Sequence, residues 1–198
     1  LSGGPVGHSG QLLCANLSGT ESMVTFLGSE SGEQQWQRRD RNRLTVTPTP
    51  DESYLSAGRF LSAVDHSGRE QWQRPFERPI IGAAAAGDRL YVSLQGEIAT
   101  VGRDDGTVQW RESIQTVAQP AVANGRVFAV GDSVVAFDSA DGSELWRSTD
   151  LPAVTTIPAV GDERIYVGAG GDDAEETFFA LDAETGEILW RTRLGSTT

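Results

Sequence analysis

The residue types of a hydrolytic relay occur together at Asp65, His66 and Ser67. In such a relay the aspartate orients the histidine and the histidine activates the serine, so the three side chains must converge from separate places. Three consecutive residues in a turn cannot do this. The other histidine, His8, is isolated, and two distant histidines do not make a zinc site. We therefore expect no catalytic residue in this chain.

A second candidate is an acidic segment whose carboxylates could attract a hard cation such as calcium. Their spacing does not match an EF-hand loop, and in a chain this acidic a carboxylate-rich loop is usually just solvated. They are weak candidates for a metal site: Asp172, Asp173, Glu175 and Glu176. The preceding run Gly168–Gly171 looks like a phosphate loop, but acids follow it instead of a helix. We interpret that run as the end of a strand.

The charge balance excludes one class of partner. Formal net charge is −12, and a strongly acidic surface disfavours binding to nucleic acid or anionic lipid. All 16 basic residues are arginine. An acidic chain without lysine is typical of proteins from salt-loving archaea, where carboxylates keep the protein hydrated while salt screens ordinary electrostatics. We therefore predict a halophilic, haloarchaeal protein.

Two further absences limit the possibilities. No apolar run reaches the roughly 18 residues that a membrane-spanning helix needs, so the sequence predicts no transmembrane segment. The single cysteine, Cys14, excludes an intramolecular disulfide, and its apolar neighbours are typical of a small core residue. The redox compartment stays open.

Five tryptophans mark an internal repeat, with spacings of 36, 38, 36 and 44 residues. Each has a glycine four positions earlier. The pairs are Gly32 and Trp36, Gly68 and Trp72, Gly106 and Trp110, Gly142 and Trp146, and Gly186 and Trp190. A fixed offset in all five copies indicates one structural unit repeated five times.

Each copy reads as four short strands separated by turn residues. In the fourth copy the strands are predicted at Ala121–Ala123, Arg126–Val130, Val134–Phe137 and Ser143–Arg147. Prolines precede the first strand of most copies, and we expect Pro48 and Pro50 to do so in the second. Four antiparallel strands in about 40 residues make one blade of a β-propeller. We predict an all-β fold in a single domain, 1–198, of five four-stranded antiparallel blades at about 1–39, 40–76, 77–113, 114–150 and 151–194.

The two repeated residues have separate physical reasons. A tight hairpin between the third and fourth strands needs a residue at positive φ, which glycine adopts without steric cost. A tryptophan on the outer strand can bury its exposed edge against the next blade.

The turns between the third and fourth strands of the blades all emerge on one face of the predicted ring, and that face is predicted to be acidic. Its members are Asp65, Asp104, Asp105, Asp138, Asp141, Asp182 and Glu184. The opposite face is predicted to carry an arginine sector of Arg38, Arg39, Arg41, Arg43, Arg74 and Arg78.

The motif Asp/Asn-x-x-x-Gly-x-x-x-Trp after an apolar strand resembles the repeat of pyrroloquinoline-quinone (PQQ) enzymes, the tryptophan-docking propeller. The fourth and fifth copies match best. The second is one residue short between Asp65 and Gly68, and the first and third have Gly28 and Gly102 in place of the aspartate. Propellers of this family usually have seven or eight blades, so five copies are either part of a larger ring or a small ring of their own.

The resemblance implies several functions. Quinoprotein dehydrogenases share the repeat and hold PQQ with calcium, but they also carry a catalytic aspartate, Glu and Asn ligands and often a Cys-Cys ring. This chain has one cysteine and three asparagines, Asn16, Asn42 and Asn124. We therefore favour a non-catalytic binding scaffold without a cofactor, which contacts a protein or glycan partner through its loops. Two alternatives stay open, a fragment of a PQQ-dependent dehydrogenase and a sensor domain of a larger surface or signalling protein. The resemblance also implies an extracytoplasmic or cell-surface location.

Overall fold

The computed structural model describes residues 6–8, 11–18, 21–161, 163–170 and 177–193, the first two segments by their backbone. These residues contain no helix and form five four-stranded antiparallel sheets, each with its strands in chain order. Sheet 1 has β1 (Val6–His8), β2 (Gln11–Ser18), β3 (Glu21–Gly28) and β4 (Gln34–Asp40). Sheet 2 has β5 (Leu44–Pro48), β6 (Ser53–Ala57), β7 (Phe60–Val64) and β8 (Glu70–Pro75).

The other three sheets repeat this plan. Sheet 3 has β9 (Ile80–Ala86), β10 (Arg89–Leu94), β11 (Glu97–Gly102) and β12 (Val108–Glu112). Sheet 4 has β13 (Ala121–Ala123), β14 (Arg126–Val130), β15 (Val134–Asp138) and β16 (Glu144–Ser148). Sheet 5 has β17 (Ala159–Val160), β18 (Arg164–Ala169), β19 (Thr177–Asp182) and β20 (Ile188–Arg193). The predicted five four-stranded antiparallel sheets are confirmed.

The burial of the strands explains their composition. The second and third strands of sheet 4 are buried on both faces, so they read as unbroken apolar runs, Val127–Val130 and Val134–Phe137. The fourth strand alternates exposed and half-buried residues, because only one of its faces is covered. This arrangement is typical of a sheet packed between neighbours, whose last strand lies at the edge.

A β-bulge precedes every repeat tryptophan. In sheet 4, Ala136 pairs with Trp146 and the next residue, Phe137, pairs with Glu144, which leaves Leu145 without an opposing residue. The same register shift occurs between the third and fourth strands of the other four sheets. A bulge bends a strand and re-aims its side chains. The extra residue therefore sets the direction of each indole.

The chain divides into two compact units, each with its own core. One comprises residues 1–80 and 103–106, and so holds sheets 1 and 2. Its apolar cluster between the sheets contains Val24, Phe26 and Leu44. The other comprises residues 81–102 and 107–198. It holds two clusters, one centred on Ile98 and Phe137 and one on Phe128 and Ile165.

Two details differ from the sequence-based expectation. Pro48 is the last residue of β5 and Pro50 follows it, so neither precedes the first strand of the second copy. The first strand of that copy begins earlier, at the apolar Leu44, which is 6% exposed and packs in the core. In the fourth copy, the last two strands begin or end within one residue of the prediction.

Candidate functional site

The tryptophans join each sheet to the turn of the next one in the same way. The indole of Trp36 lies against Gly68, where an added Cβ would be 2.7 Å from the ring, and its Nε1 donates to the carbonyl of His66 at 3.0 Å. Trp72 meets Gly106 likewise and donates to Arg103 O at 2.6 Å.

The second unit repeats the contact twice. Trp110 lies against Gly142 and donates to Ser139 O at 3.2 Å. Trp146 lies against Gly186 and donates to Ala183 O, also at 3.2 Å. In all four contacts the accepting carbonyl belongs to the second residue of the turn. Each indole is therefore held both by its ring contact with the glycine and by its hydrogen bond to that carbonyl. We call this arrangement the indole–turn contact.

Among the described residues, sheets 1 and 5 each lack one partner of an indole–turn contact. An added Cβ on Gly32 would have nothing within 4 Å. Trp190 is 43% exposed, whereas Trp110 is 8% exposed. The five glycines nevertheless share positive φ angles of 65° to 83°, so the backbone conformation of the turn does not depend on an indole above it.

The predicted relay residues are part of a turn. Asp65 Oδ1 accepts hydrogen bonds from Ser67 N at 2.9 Å, Ser67 Oγ at 2.6 Å and Arg69 N at 3.0 Å. Gly68 N donates to Asp65 O at 2.9 Å, which closes a turn one residue shorter than that of sheet 4, where Gly142 N reaches Asp138 O. The carboxylate therefore holds the turn rather than orienting a histidine.

The other turn aspartates do the same work. Asp138 Oδ1 accepts from Ala140 N at 2.7 Å, and Asp182 Oδ1 accepts from Glu184 N at 2.8 Å and Thr185 N at 2.9 Å. The amide of Thr185 first, and then that of Glu184, lowers the pKa of Asp182, because both bonds favour the charged form. The serine hydroxyl and the Arg69 amide lower the pKa of Asp65 likewise. Asp65, Asp138 and Asp182, three residues of the predicted acidic face, thus hold their own turns.

A buried polar cluster connects sheet 2 with the turn of the third repeat. Arg103 donates through Nε to Tyr54 Oη at 2.8 Å and through Nη2 to Thr49 Oγ1 at 3.0 Å, and it lies 3.5 Å from Glu52. Tyr54 in turn donates to Glu52. Burial and the Glu52 acceptor raise the pKa of Tyr54, so its hydroxyl stays protonated. The cluster is satisfied internally and offers no reactive group.

The junction between sheets 3 and 4 also contains an arginine. Arg89, the first residue of β10, reaches across with Nη1 and donates to the carbonyls of Ser139 and Ala140, both at 2.7 Å. These carbonyls belong to the turn on which Trp110 docks. Arg89 therefore closes the space beside that indole–turn contact.

Between sheets 4 and 5 the corresponding space is open. Arg126 is the first residue of β14, as Arg89 is of β10. Its Nε is buried without a hydrogen-bond partner, its Nη1 reaches the carbonyl of Asn124 at 3.5 Å, and its charge favours the ionised form of Asp182. A cavity of about 410 Å³ lies beside it. We call it the Arg126 pocket; its lining is Ala123, Asn124, Arg126, Phe128, Val160, Glu163, Asp182, Ala183 and Glu184.

The arginine sector is partly paired. Arg38 Nη1 lies 3.1 Å from Glu70 of the next sheet, and Arg74 is half-buried with its Nε unpartnered. Arg41 and Arg43 follow β4 and are exposed, at the end of that strand away from the Gly32 turn. The sector therefore retains exposed cations on the connection between sheets 1 and 2.

Several candidates lie beyond what the structure describes. Asp172, Asp173, Glu175, Glu176 and Gly171 are outside the described residues, and only the backbone of His8 and Cys14 is described. Within the described ranges, no group of three or more His, Cys, Asp or Glu side chains could hold a metal ion.

The sequence reasoning missed the Arg126 pocket. The available signal was an arginine at the start of the second strand in three consecutive copies, Arg89, Arg126 and Arg164. That pattern predicts a shared position, but not that one arginine bonds to carbonyls while its equivalent faces a cavity.

Comparison with known proteins identifies the family. The sequence matches the family described as outer membrane protein assembly factor BamB over residues 56–150 and 130–198. The chain belongs to this PQQ-repeat family. BamB from Yersinia pestis is 23% identical over 217 residues, a match that covers 89% of this chain and 53% of the relative. A polyvinylalcohol dehydrogenase from Pseudomonas sp is 30% identical over 141 residues, covering 56% of this chain and 22% of the relative.

A solved structure shows the same fold. BamB from Moraxella catarrhalis aligns with a TM-score of 0.69 and 17% identity, over 96% of this chain and 75% of that one. With the five four-stranded sheets, this confirms the β-propeller fold class. The chain spans about half the length of the Yersinia relative and less than a quarter of the Pseudomonas one. No helix among the described residues is long and apolar enough to cross a membrane.

Proposed function

We propose that this BamB-family chain is a non-catalytic propeller that acts as a scaffold for binding a protein or glycan partner or a ligand. The observation that carries the proposal is that the carboxylates in its turns bind the backbone of those turns. Backbone amides of the turn donate hydrogen bonds to the carboxylates of Asp65, Asp138 and Asp182. Asp65, which the sequence offered for a hydrolytic relay, thus stabilises a turn on which an indole docks, as Asp138 and Asp182 do in theirs.

The family relationship supports a binding role. The Yersinia relative is named as an assembly factor for outer membrane proteins, which is a task of bringing proteins together. It also supports an extracytoplasmic or cell-surface location for this chain. The net charge of −12 with no lysine supports adaptation to high salt.

The residues that the structure describes do not fit a quinone and calcium site. A calcium ion takes six to eight oxygen ligands from carboxylates, carbonyls and amides. Asn42 donates to Asp40 within its own turn, Asn124 sits in a turn at φ 50°, and Asn16 lies on β2. Among the described side chains, no group of three or more acids, histidines or cysteines could hold a metal ion.

A dehydrogenase fragment is the second candidate. The observation that favours it is the 30% identity with the polyvinylalcohol dehydrogenase over 141 residues. That match covers 22% of the relative, so a shared repeat accounts for it as well as a shared activity does.

One experiment separates the two functions. The folded chain is incubated with PQQ and calcium chloride, dialysed, and measured for quinone absorbance and for alcohol-dependent reduction of an acceptor dye. The urea-unfolded chain is the control for unspecific adsorption. We expect no more quinone on the folded chain than on the control. One quinone retained per chain together with dye reduction would overturn the scaffold proposal in favour of the dehydrogenase.

A further inference from the structure

The Arg126 pocket has the size and the lining of a small-ligand site. Its volume of about 410 Å³ falls in the range of roughly 300–1,000 Å³ that such sites occupy. Phe128, Val160 and Ala123 supply apolar surface, and charged side chains surround it. The pocket lies entirely within the second compact unit, on residues that the structure describes.

The comparison with Arg89 shows what the pocket lacks. Arg89 Nη1 donates to two carbonyls at 2.7 Å, whereas Arg126 Nη1 reaches the carbonyl of Asn124 at 3.5 Å and the buried Nε of Arg126 has no acceptor. A buried unpaired donor costs free energy, and native proteins pair such groups with protein, water or ligand. A ligand with a hydrogen-bond acceptor would therefore supply for Nη1 of Arg126 what the turn carbonyls of Ser139 and Ala140 supply for Nη1 of Arg89.

The charges in the pocket limit the ligand further. One arginine faces the carboxylates of Glu163, Asp182 and Glu184, so the lining is negative overall. Asp182 uses one carboxylate oxygen for turn amides, while Glu163 and Glu184 are exposed acids at the rim. A simple anion would be repelled, and a simple cation would leave Arg126 unsatisfied. The ligand must carry a positive group and an acceptor at short separation.

We propose that the Arg126 pocket binds a protonated amino group adjacent to a carbonyl oxygen, the chemistry of an amino acid amide and of a peptide N-terminus. The carbonyl accepts from Arg126 and the ammonium group donates to Glu163 and Glu184. A small side chain packs on Val160 and Ala123. This proposal goes beyond the scaffold role. The two can be refuted independently, because the quinone experiment does not involve the Arg126 pocket.

The direct test uses the indole resonances of the chain as reporters. Trp146 donates to Ala183 O, which lines the pocket, while Trp72 donates to Arg103 O elsewhere. Titration with L-alaninamide at constant ionic strength should shift the Trp146 Nε1–H signal saturably and leave that of Trp72 in place. N-acetyl-alaninamide, which lacks the cation, and ethylamine, which lacks the carbonyl, should bind at least tenfold more weakly.

Variants assign the binding to the named side chains. Arg126→Gln and the double variant Glu163→Gln with Glu184→Gln should each weaken alaninamide binding at least tenfold. Arg111→Gln is the matched control, since it removes one arginine from an exposed pair with Glu97 and should leave the affinity unchanged. Circular dichroism melting checks that each variant is folded.

The outcomes divide clearly. A peptide amide such as Ala-Ala-amide that binds more tightly than alaninamide identifies a peptide N-terminus as the source of the shared chemistry, and the reverse identifies the free amino acid derivative. No saturable shift of the Trp146 signal would overturn the proposal. So would equal binding by N-acetyl-alaninamide, or full affinity in a folded Arg126→Gln chain.

Discussion

A pair of glycine substitutions separates the two reasons why the repeat position is glycine, namely the positive φ angle of the turn and the close approach of the indole. Gly68 and Gly32 have positive φ angles of 83° and 68° and occupy corresponding turns of sheets 2 and 1, of which the turn of sheet 2 is one residue shorter. A Cβ on Gly68 would lie 2.7 Å from the indole of Trp36, whereas a Cβ on Gly32 would have open space around it. Gly68→Ala therefore imposes backbone strain and a clash with the ring, and Gly32→Ala imposes the strain alone.

The magnitudes follow from the two terms. An L-residue in the left-handed region costs about 1–2 kcal/mol, and both variants incur this cost. Overpacking a close contact costs about 1–3 kcal/mol more. Displacing the ring would also weaken the bond from Trp36 Nε1 to His66 O, worth about 1 kcal/mol. We expect Gly68→Ala to lose about 2 kcal/mol more stability than Gly32→Ala, or roughly 4–8 °C in melting temperature.

Urea unfolding followed by circular dichroism and by tryptophan fluorescence measures the difference. The two probes must report coincident transitions for the free energies to be compared. If Gly32→Ala and Gly68→Ala are equally destabilising, the indole does not need the space above Gly68, and the reasoning about the indole–turn contact is refuted.

Three further outcomes follow from the structure. Trp146→Phe removes the donor to Ala183 O and should lower the free energy of unfolding in urea by about 1–2 kcal/mol. Trp190→Phe, at an exposed position, should lower it by less than half as much. Equal losses for the two variants would contradict the indole–turn contact. The pKa of Asp182 is lower in the folded chain than its unfolded value of about 3.9, so its carboxylate stabilises the fold above that pH, and the contribution is lost as the pH falls through the folded-state pKa. Asp182→Asn should therefore be less stable than the parent at pH 7, and the difference in unfolding free energy should narrow below about pH 4. A difference that does not depend on pH would count against the turn bonds. With a net charge of −12, the melting temperature should rise as sodium chloride increases from 0.1 M to 2 M, and a flat or falling curve would contradict adaptation to salt.

The fold could be predicted because its signals are local and repeated. The spacing from Gly142 to Trp146 recurs in every copy, and apolar runs such as Val127–Val130 have the length and the β-branched residues of buried strands. The bulge opposite Ala136 could not be predicted, since one unpaired residue changes neither composition nor spacing. Pro48 was misplaced because proline ends strands as readily as it precedes them.

The site was harder to predict for a physical reason. The turns that carry the aspartates could be predicted, and Asp182 accepts hydrogen bonds from backbone amides in one of them. Whether an arginine closes a junction depends on side-chain contacts between sheets far apart in sequence. Arg89 and Arg126 occupy the same position in the repeat, yet one bonds to carbonyls and the other borders a cavity. A single sequence carries no signal for that difference.

The central claim is that the indoles of sheets 1 to 4 are each held by the turn of the next repeat, and exchange of the indole hydrogens tests it directly. In deuterated buffer, the Nε1 hydrogens of Trp36, Trp72, Trp110 and Trp146 should exchange slowly, because each is bonded to a carbonyl, and that of Trp190 should exchange fast. Five indoles that exchange at similar rates would contradict the account.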